Sequence, residues 1–227
     1  MNFSIQPSSY TAGETQSVRL QERHTAEPKE IICAGLKLKI HPGVYGTSAD
    51  TELMIDTVEI NKNETFLEIG CGSGAVSIAI AKRAKSGIGV DVNELAVANS
   101  QFNAERHQAN NLQLLRSDLF EKISDKFDVI IFNPPYNDYE PSDDIDKMFW
   151  DGNNEIKRRF FQEASNYLKD NGKIYFGWAN FSDLDLDLPF RLAQENKLEV
   201  IGLKSKASPN GKCAFYVLTI QPTKTVK

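Results

Sequence analysis

The run Leu67-Glu68-Ile69-Gly70-Cys71-Gly72-Ser73-Gly74 stands where an apolar stretch gives way to an Ala-rich one. Glycines there permit a tight turn and let a ligand approach the backbone at a helix N-terminus. Gly70, Gly72 and Ala75, with Asp91 about 20 residues on, also satisfy a loose dinucleotide fingerprint, so the glycines alone do not define the ligand. Three acids sharpen the reading. Glu68 lies just inside the turn, Asp91 ends the next apolar run, and Asp118 follows the one after, in Arg116-Ser117-Asp118-Leu119. Open α/β sheets bind ligands at the carboxyl ends of their strands, beside a topological switch point. In that setting Asp91 can accept from both hydroxyls of a ribose, and Asp118 can meet an adenine amino group. Glu68 can hold the turn or reach an ammonium. Each acid alone can be a solvated strand end; three at successive strand ends point to a bound nucleoside.

Asn133-Pro134-Pro135-Tyr136 follows the apolar stretch Asp128 to Phe132. It resembles the signature of class I S-adenosylmethionine-dependent methyltransferases that modify planar amino groups. The Glu68-to-Gly74 turn, Asp91 and Asp118 are similar to that superfamily's cofactor-binding positions. The resemblance covers roughly Val44 to Ile220 and is closest to the small-domain type, which includes release-factor glutamine N5-methyltransferases and several RNA guanine or adenine enzymes. It implies S-adenosylmethionine as cofactor, held by Glu68, Gly70, Cys71, Gly72, Gly74, Asp91, Asp118, Leu119 and Asn133. Val44-Tyr45 and Asp50-Thr51-Glu52 resemble the segment before the cofactor loop of the glutamine enzymes, which implies that Tyr45 and Thr51 help to cover the cofactor.

The tetrapeptide suits a specific chemical difficulty. An amide or nucleobase amino nitrogen is a poor nucleophile because its lone pair is delocalised. A site that accepts both N–H bonds turns that lone pair toward a sulfonium methyl group. The Asn133 side-chain oxygen and the Pro134 carbonyl are two such acceptors one residue apart, the pattern the family uses. Successive prolines stiffen the turn, since each fixes its own φ and restricts the residue before it. Tyr136 can offer a ring face to a planar group. Positioning and charge complementarity then carry catalysis, and no strong general base is required.

The elements that must position these residues follow from periodicity. Short apolar runs at 65–69, 87–92, 112–116, 127–132 and 173–177 alternate with helical patterns at 75–84, 93–107 and 155–168. That alternation predicts a Rossmann-like, mostly parallel α/β sheet. Leu198 to Leu203 and Ala214 to Ile220 leave no room for a helix between them, so they form an antiparallel edge hairpin and complete seven strands. Upstream, Ile31 to Cys33 and Leu36 to Ile40 read as a β-hairpin ended by Pro42, and Asp50 to Glu59 as a helix. Val18 to His24 can make one or two helical turns. The expected division is residues 1–43 as an N-terminal extension able to act as a lid, and residues 44–227 as the methyltransferase domain.

Composition removes several classes. Lys and Arg total 26 against 31 Asp and Glu, a net charge of −5, which lacks the basic excess of a simple nucleic-acid binder. No apolar run is long enough to cross a bilayer, and the N-terminal residues lack a signal-peptide pattern. Three cysteines and three histidines show no metal-ligand spacing. A cytoplasmic protein with no structural metal is expected. Cys71 reads as a small filler of the turn, His41 as a turn residue, Trp150 and Trp178 as pocket wall or core, and Lys157-Arg158-Arg159 as a solvated helix face.

Acidic residues Asp138, Glu140, Asp143, Asp144 and Asp146 follow the tetrapeptide and would repel a phosphate backbone, or they simply form an exposed loop. They favour a protein, peptide or cationic small-molecule acceptor over nucleic acid, and with the resemblance the expected acceptor is a protein glutamine or a small amino compound. The alternatives are methylation of an exocyclic RNA or DNA amine, intramolecular cyclisation of the cofactor releasing methylthioadenosine, and a non-catalytic binding module.

Overall fold

The computed structural model describes residues 3–11, 16, 27–181 and 183–223. The helical turns expected over 18–24 lie outside them. Among the described residues nine strands form two sheets. Strands β1 (Lys29–Cys33) and β2 (Leu36–Ile40) make the antiparallel hairpin read from the sequence, with Ala34 and Gly35 at positive φ in its turn.

The main sheet contains β3 (Thr65–Ile69), β4 (Ser86–Asp91), β5 (Leu112–Arg116), β6 (Phe127–Phe132), β7 (Leu168–Ala179), β8 (Leu198–Ala207) and β9 (Ala214–Pro222). Its order is β5-β4-β3-β6-β7-β9-β8. Pairs from β5 through β7 are parallel, whereas β9 lies antiparallel to both β7 and β8. The chain steps outward from β3 to β5 and then returns to β6 on the other side. That reversal places the switch point between the carboxyl ends of β3 and β6.

Alternate side chains divide between the two faces, as the period of two requires. Leu67, Ile69, Ile130, Phe132, Ile174 and Phe176 enter one core, and Phe66, Val129, Ile131 and Tyr175 enter the other. Helices α1 (Ala49–Thr57), α2 (Ala75–Ala81) and α3 (Glu94–Arg106) cover the second face, together with the buried Leu36, Leu38 and Ile40 of the hairpin. Helices α4 (Glu155–Glu163) and α5 (Leu188–Glu195) cover the first, through Phe160, Phe161, Leu188 and Leu192. Among the described residues no helix is long and apolar enough to cross a membrane.

Three details depart from the sequence reading. The helix expected over 155–168 ends at Glu163, and a 3-10 turn (Ala164–Tyr167) carries the chain into β7. β7 starts at Leu168, not 173, and absorbs Asn171 (φ 64) in an irregularity of its pairing with β6. Helix α5 was not expected at all: Asp183, Asp185 and Asp187 alternate with leucines and mimic a strand, whereas Pro189 in the first helical turn is the start signal.

Two strands pack closely where Phe66 of β3 lies opposite Gly87 of β4. A Cβ on Gly87 would collide with the Phe66 ring, which is fully buried. Gly87→Ala is expected to destabilise the protein by about 1–3 kcal/mol through overpacking, read from the midpoint of urea unfolding.

Candidate active site

The glycine turn leaves β3 with Gly70, Gly72 and Gly74 at φ 70, 51 and 83, conformations that L side chains resist. At Gly74 a Cβ would sit 3.0 Å from the Ser100 Cβ, so close packing of α2 on α3 adds a second reason for glycine. Asp91, at the end of β4, closes the turn: its Oδ2 accepts from Gly72 N–H at 2.9 Å and its Oδ1 from Asn93 N–H at 3.0 Å. Burial raises the Asp91 carboxyl pKa. Each oxygen keeps a lone pair after its backbone bond, so two hydroxyl donors can still be met.

Glu68 is buried and accepts from Ser77 Oγ–H on α2, the turn-holding alternative of the sequence reading. Burial pushes its pKa up to about 8. Cys71 is buried beside Ser100, and burial lifts its thiol well above the usual range, so it stays protonated at neutral pH. Beyond β5, Asp118 Oδ2 pairs with Arg159 at 3.0 Å, both side chains about one-third exposed. The next residue, Leu119, is buried at φ 45. Tyr45 meets the Phe149 ring edge-on at 5.6 Å, and Thr51 Oγ1 accepts from Ser48 N–H at 3.2 Å at the start of α1. Tyr45, Thr51, Glu68, Gly70, Cys71, Gly72, Asp91, Asp118 and Leu119, with Asn133, Pro134 and Tyr136, border one cleft, whereas Gly74 lies behind the turn and does not line it.

At the switch point the Asn133 amide has a fixed orientation. Its Nδ2 donates to Asp50 Oδ2 at 2.9 Å, and its Oδ1 accepts from Tyr136 Oη–H at 2.8 Å. Tyr136 Oη also reaches Asp50 Oδ2 at 3.3 Å. Asp50 is 5% exposed, and it receives Thr51 N–H at 2.8 Å as well. The site needs glycine beneath the amide, because a Cβ on Gly177 would strike Asn133 Oδ1. The Tyr136 ring packs edge-on against Trp178 and Phe181, at 5.8 and 5.9 Å. Burial raises its hydroxyl pKa well above the usual value.

Lys157 departs most from the expected solvated face. Its side chain and that of Asp151 are each 1% exposed, 2.8 Å apart. Lys157 Nζ also donates to the Pro135 carbonyl at 2.8 Å, and thereby braces the double-proline turn. Arg159 turns to Asp118, so the three-residue basic run is not a patch of free charge. The acidic loop is engaged internally too: Asp144 pairs with Arg116 and Lys147, and Asp138 accepts from Asn153 N–H and Asn154 Nδ2. Trp178 and Trp150 are both buried, and neither borders the cleft. His41 lies just past β2, its N–H on Asn99 Oδ1 at 2.8 Å. Among the described residues no cluster of His, Cys, Asp and Glu could hold a metal ion.

Sequence reasoning missed Asp50, Asp151 and the buried role of Lys157. Asp50 had a signal in its place in the segment 50–52, and Asp151 a weaker one in the run Trp150-Asp151-Gly152-Asn153-Asn154, which partly resembles a glycine-rich stretch of the glutamine enzymes.

Two outcomes follow. Lys157→Met is expected to cost about 3–5 kcal/mol by stranding buried Asp151, and Lys157→Met with Asp151→Leu to recover much of it, both read by denaturant unfolding. Because the Glu68 pKa is raised from 4.5 to about 8, the folded state holds the extra proton between those values, and Glu68 erodes stability as pH rises through that window. Glu68→Gln is therefore expected to raise the melting temperature above the upper value and to bring no such gain below the lower one. Thermal melts across pH check this.

Residues 35–188 match the methyltransferase small domain family. The chain is 38% identical over 193 residues to a Methanocaldococcus jannaschii protein whose name assigns it to protein N5-glutamine methylation, covering 82% of this chain and 94% of that one. It is 31% identical over 196 residues to the release factor glutamine methyltransferase of Streptococcus pneumoniae, covering 76% of this chain and 70% of that one. Among solved structures, Trm5 of M. jannaschii in complex with adenosine superposes with a TM-score of 0.64 at 16% identity, covering 87% of this chain and 57% of that one. A ribosomal protein L11 methylase from Lactobacillus delbrueckii subsp. bulgaricus gives 0.57 at 21% identity, covering 82% and 84%. Those two likenesses speak to the fold. With the glycine turn, the strand-end acids and the switch-point amide in place, the chain belongs to the methyltransferase small domain family and is a class I S-adenosylmethionine-dependent methyltransferase.

Proposed function

We propose that the enzyme methylates the side-chain amide nitrogen of a glutamine in a protein. The observation that carries this reading is the Asn133 amide, locked between Asp50 and Tyr136 on the rim of the cleft. The names of the relatives, one of them a release factor glutamine methyltransferase, support the same acceptor.

S-adenosylmethionine, when bound, supplies an electrophilic methyl group on a sulfonium sulfur. In the proposed arrangement the chain's residues do the following. Asp91 accepts from the ribose hydroxyls while it holds Gly72, and the remaining lone pairs of its carboxyl suit that task. Asp118 and the backbone at Leu119 face the adenine. Gly70, Cys71 and Gly72 bring the backbone close, Gly74 lets the turn enter α2, Glu68 fixes the turn from beneath, and Tyr45, just before α1, and Thr51, at its start, close the cleft.

Asn133 Oδ1 keeps a lone pair beyond its bond from Tyr136, and with the Pro134 carbonyl it accepts the two N–H bonds of the glutamine amide. That geometry turns the nitrogen lone pair out of conjugation and toward the methyl group, a gain made by positioning. Tyr136 acts mainly through its hydroxyl, which holds Asn133, because its ring is engaged by Trp178 and Phe181. The amide proton leaves to water after transfer. Residues 44–227 carry every group in this scheme, and residues 1–43 supply the hairpin and the segment beside the cleft.

Asp91→Ala is expected to abolish cofactor binding in calorimetry. Asn133→Ala is expected to keep cofactor binding but lose at least about 100-fold in transfer to a glutamine-containing peptide, the scale of a lost positioned donor or acceptor. Full activity in Asn133→Ala would overturn the amino-acceptor reading.

A further inference from the structure

One glutamine of this chain already lies in the cleft. Gln16 borders the same cleft as Asp50, Asn133, Pro134 and Tyr136, and it is 5% exposed. Its side-chain Oε1 is buried and has no hydrogen-bond partner. An amide oxygen left so has lost its hydration without replacement, so this side chain is held where the fold provides it no donor. A core glutamine placed for stability would have its oxygen satisfied.

The chain before it is anchored beside that wall. Ile5 is buried in the main core. Ser8 donates from both its N–H and its hydroxyl to the Asn180 carbonyl, at 2.9 and 2.8 Å, while Asn180 Nδ2 donates to the Gln6 carbonyl at 3.0 Å. Tyr10 meets Phe181 edge-on at 5.6 Å, and Phe181 borders the cleft. Position 16 is six residues beyond Tyr10, a span of at most about 20 Å of extended chain, so the anchored segment tethers Gln16 within reach of the cleft that it lines. A tethered group meets its reaction partner at a high effective concentration.

We propose that Gln16 is an intramolecular methyl acceptor, so that the enzyme methylates its own Gln16 amide nitrogen. This rests on the reading of the site as one for a glutamine amide. In the step, the bond from Gln16 Nε2 to the methyl carbon forms as the sulfonium–methyl bond breaks. The sulfur keeps the bonding pair and becomes the thioether of S-adenosylhomocysteine, and the nitrogen gives one proton to water. The product is a secondary amide with one N–H, so it cannot fill both acceptors at Asn133 and Pro134, and the modified side chain yields the site to an external glutamine.

The test incubates the full chain with methyl-labelled S-adenosylmethionine and no other acceptor, with a parallel arm containing a glutamine peptide. Expected are a gain of one methyl group per chain in the intact mass, its assignment to Gln16 by fragmentation, and a rate per chain independent of enzyme concentration. Gln16→Ala and Gln16→Asn are expected to lose the mark, and Gln16→Ala to methylate the peptide faster than the unmodified wild type does. An unmarked chain that methylates the peptide, a mark elsewhere, or a rate proportional to enzyme concentration would each overturn the proposal. If neither peptide nor chain is methylated, the reading of the site as a glutamine methyltransferase fails with it.

Discussion

The buried Asp50 carboxyl group is the constraint around which the site is arranged. It accepts from the amide of Asn133 and the backbone of Thr51 and lies 3.3 Å from the hydroxyl of Tyr136, so one side chain from α1 fixes two residues of the turn that follows β6. Those partners are 83 and 86 residues away in sequence. A buried acceptor of this kind is tolerated only when its hydrogen bonds are made, and making them dictates which way the Asn133 amide faces. The orientation of that amide, which amide-directed methyl transfer requires, is thereby decided by the docking of a helix that lies outside the alternating β/α unit.

A second network serves the same turn from the opposite face of the sheet. Lys157 and Asp151 bury an ion pair against the Pro135 carbonyl, so the turn is gripped from α1 on one side and from the start of α4 on the other. Such pairs contribute little net stability compared with apolar replacements, and their return is in defined geometry. The cofactor side is organised by related means. Asp91 closes the glycine turn by accepting its backbone N–H, so the carboxyl that shapes the turn is also the one facing the cleft.

Local patterns made the parallel core of the fold readable. Leu67 and Ile69 on one face with Phe66 on the other are written in a single short run, and so are Ile130 and Phe132 with Val129 and Ile131. The glycine turn was legible because positive φ leaves few residue choices, and Asp91 because it ends a strand. What stayed hidden depends on contacts far apart in sequence. Lys157 sits in a basic run that looks solvated, and only the fold shows that Asp151 and a proline carbonyl receive it. Asp50 belongs to a segment whose pattern is visible in the sequence, but its partners Asn133 and Tyr136 lie on another element. Helix α5 was masked by an Asp-Leu alternation whose period belongs to strands, although the proline that starts it was in plain view.

The empty position beneath Asn133 has a consequence for how the sheet must assemble. Phe132 is opposite Phe176 in the β6–β7 ladder, which brings Gly177 under the Asn133 amide, and a side chain there would displace it. Slipping β7 by one residue in either direction would present Phe176 or Trp178 at that place and turn every side chain of the strand to the wrong face. The pairing register of a central strand and the vacancy required by the reacting group are therefore the same piece of information. A chain that assembles with β7 misaligned has no working site, so activity itself serves as a proofreader of the fold.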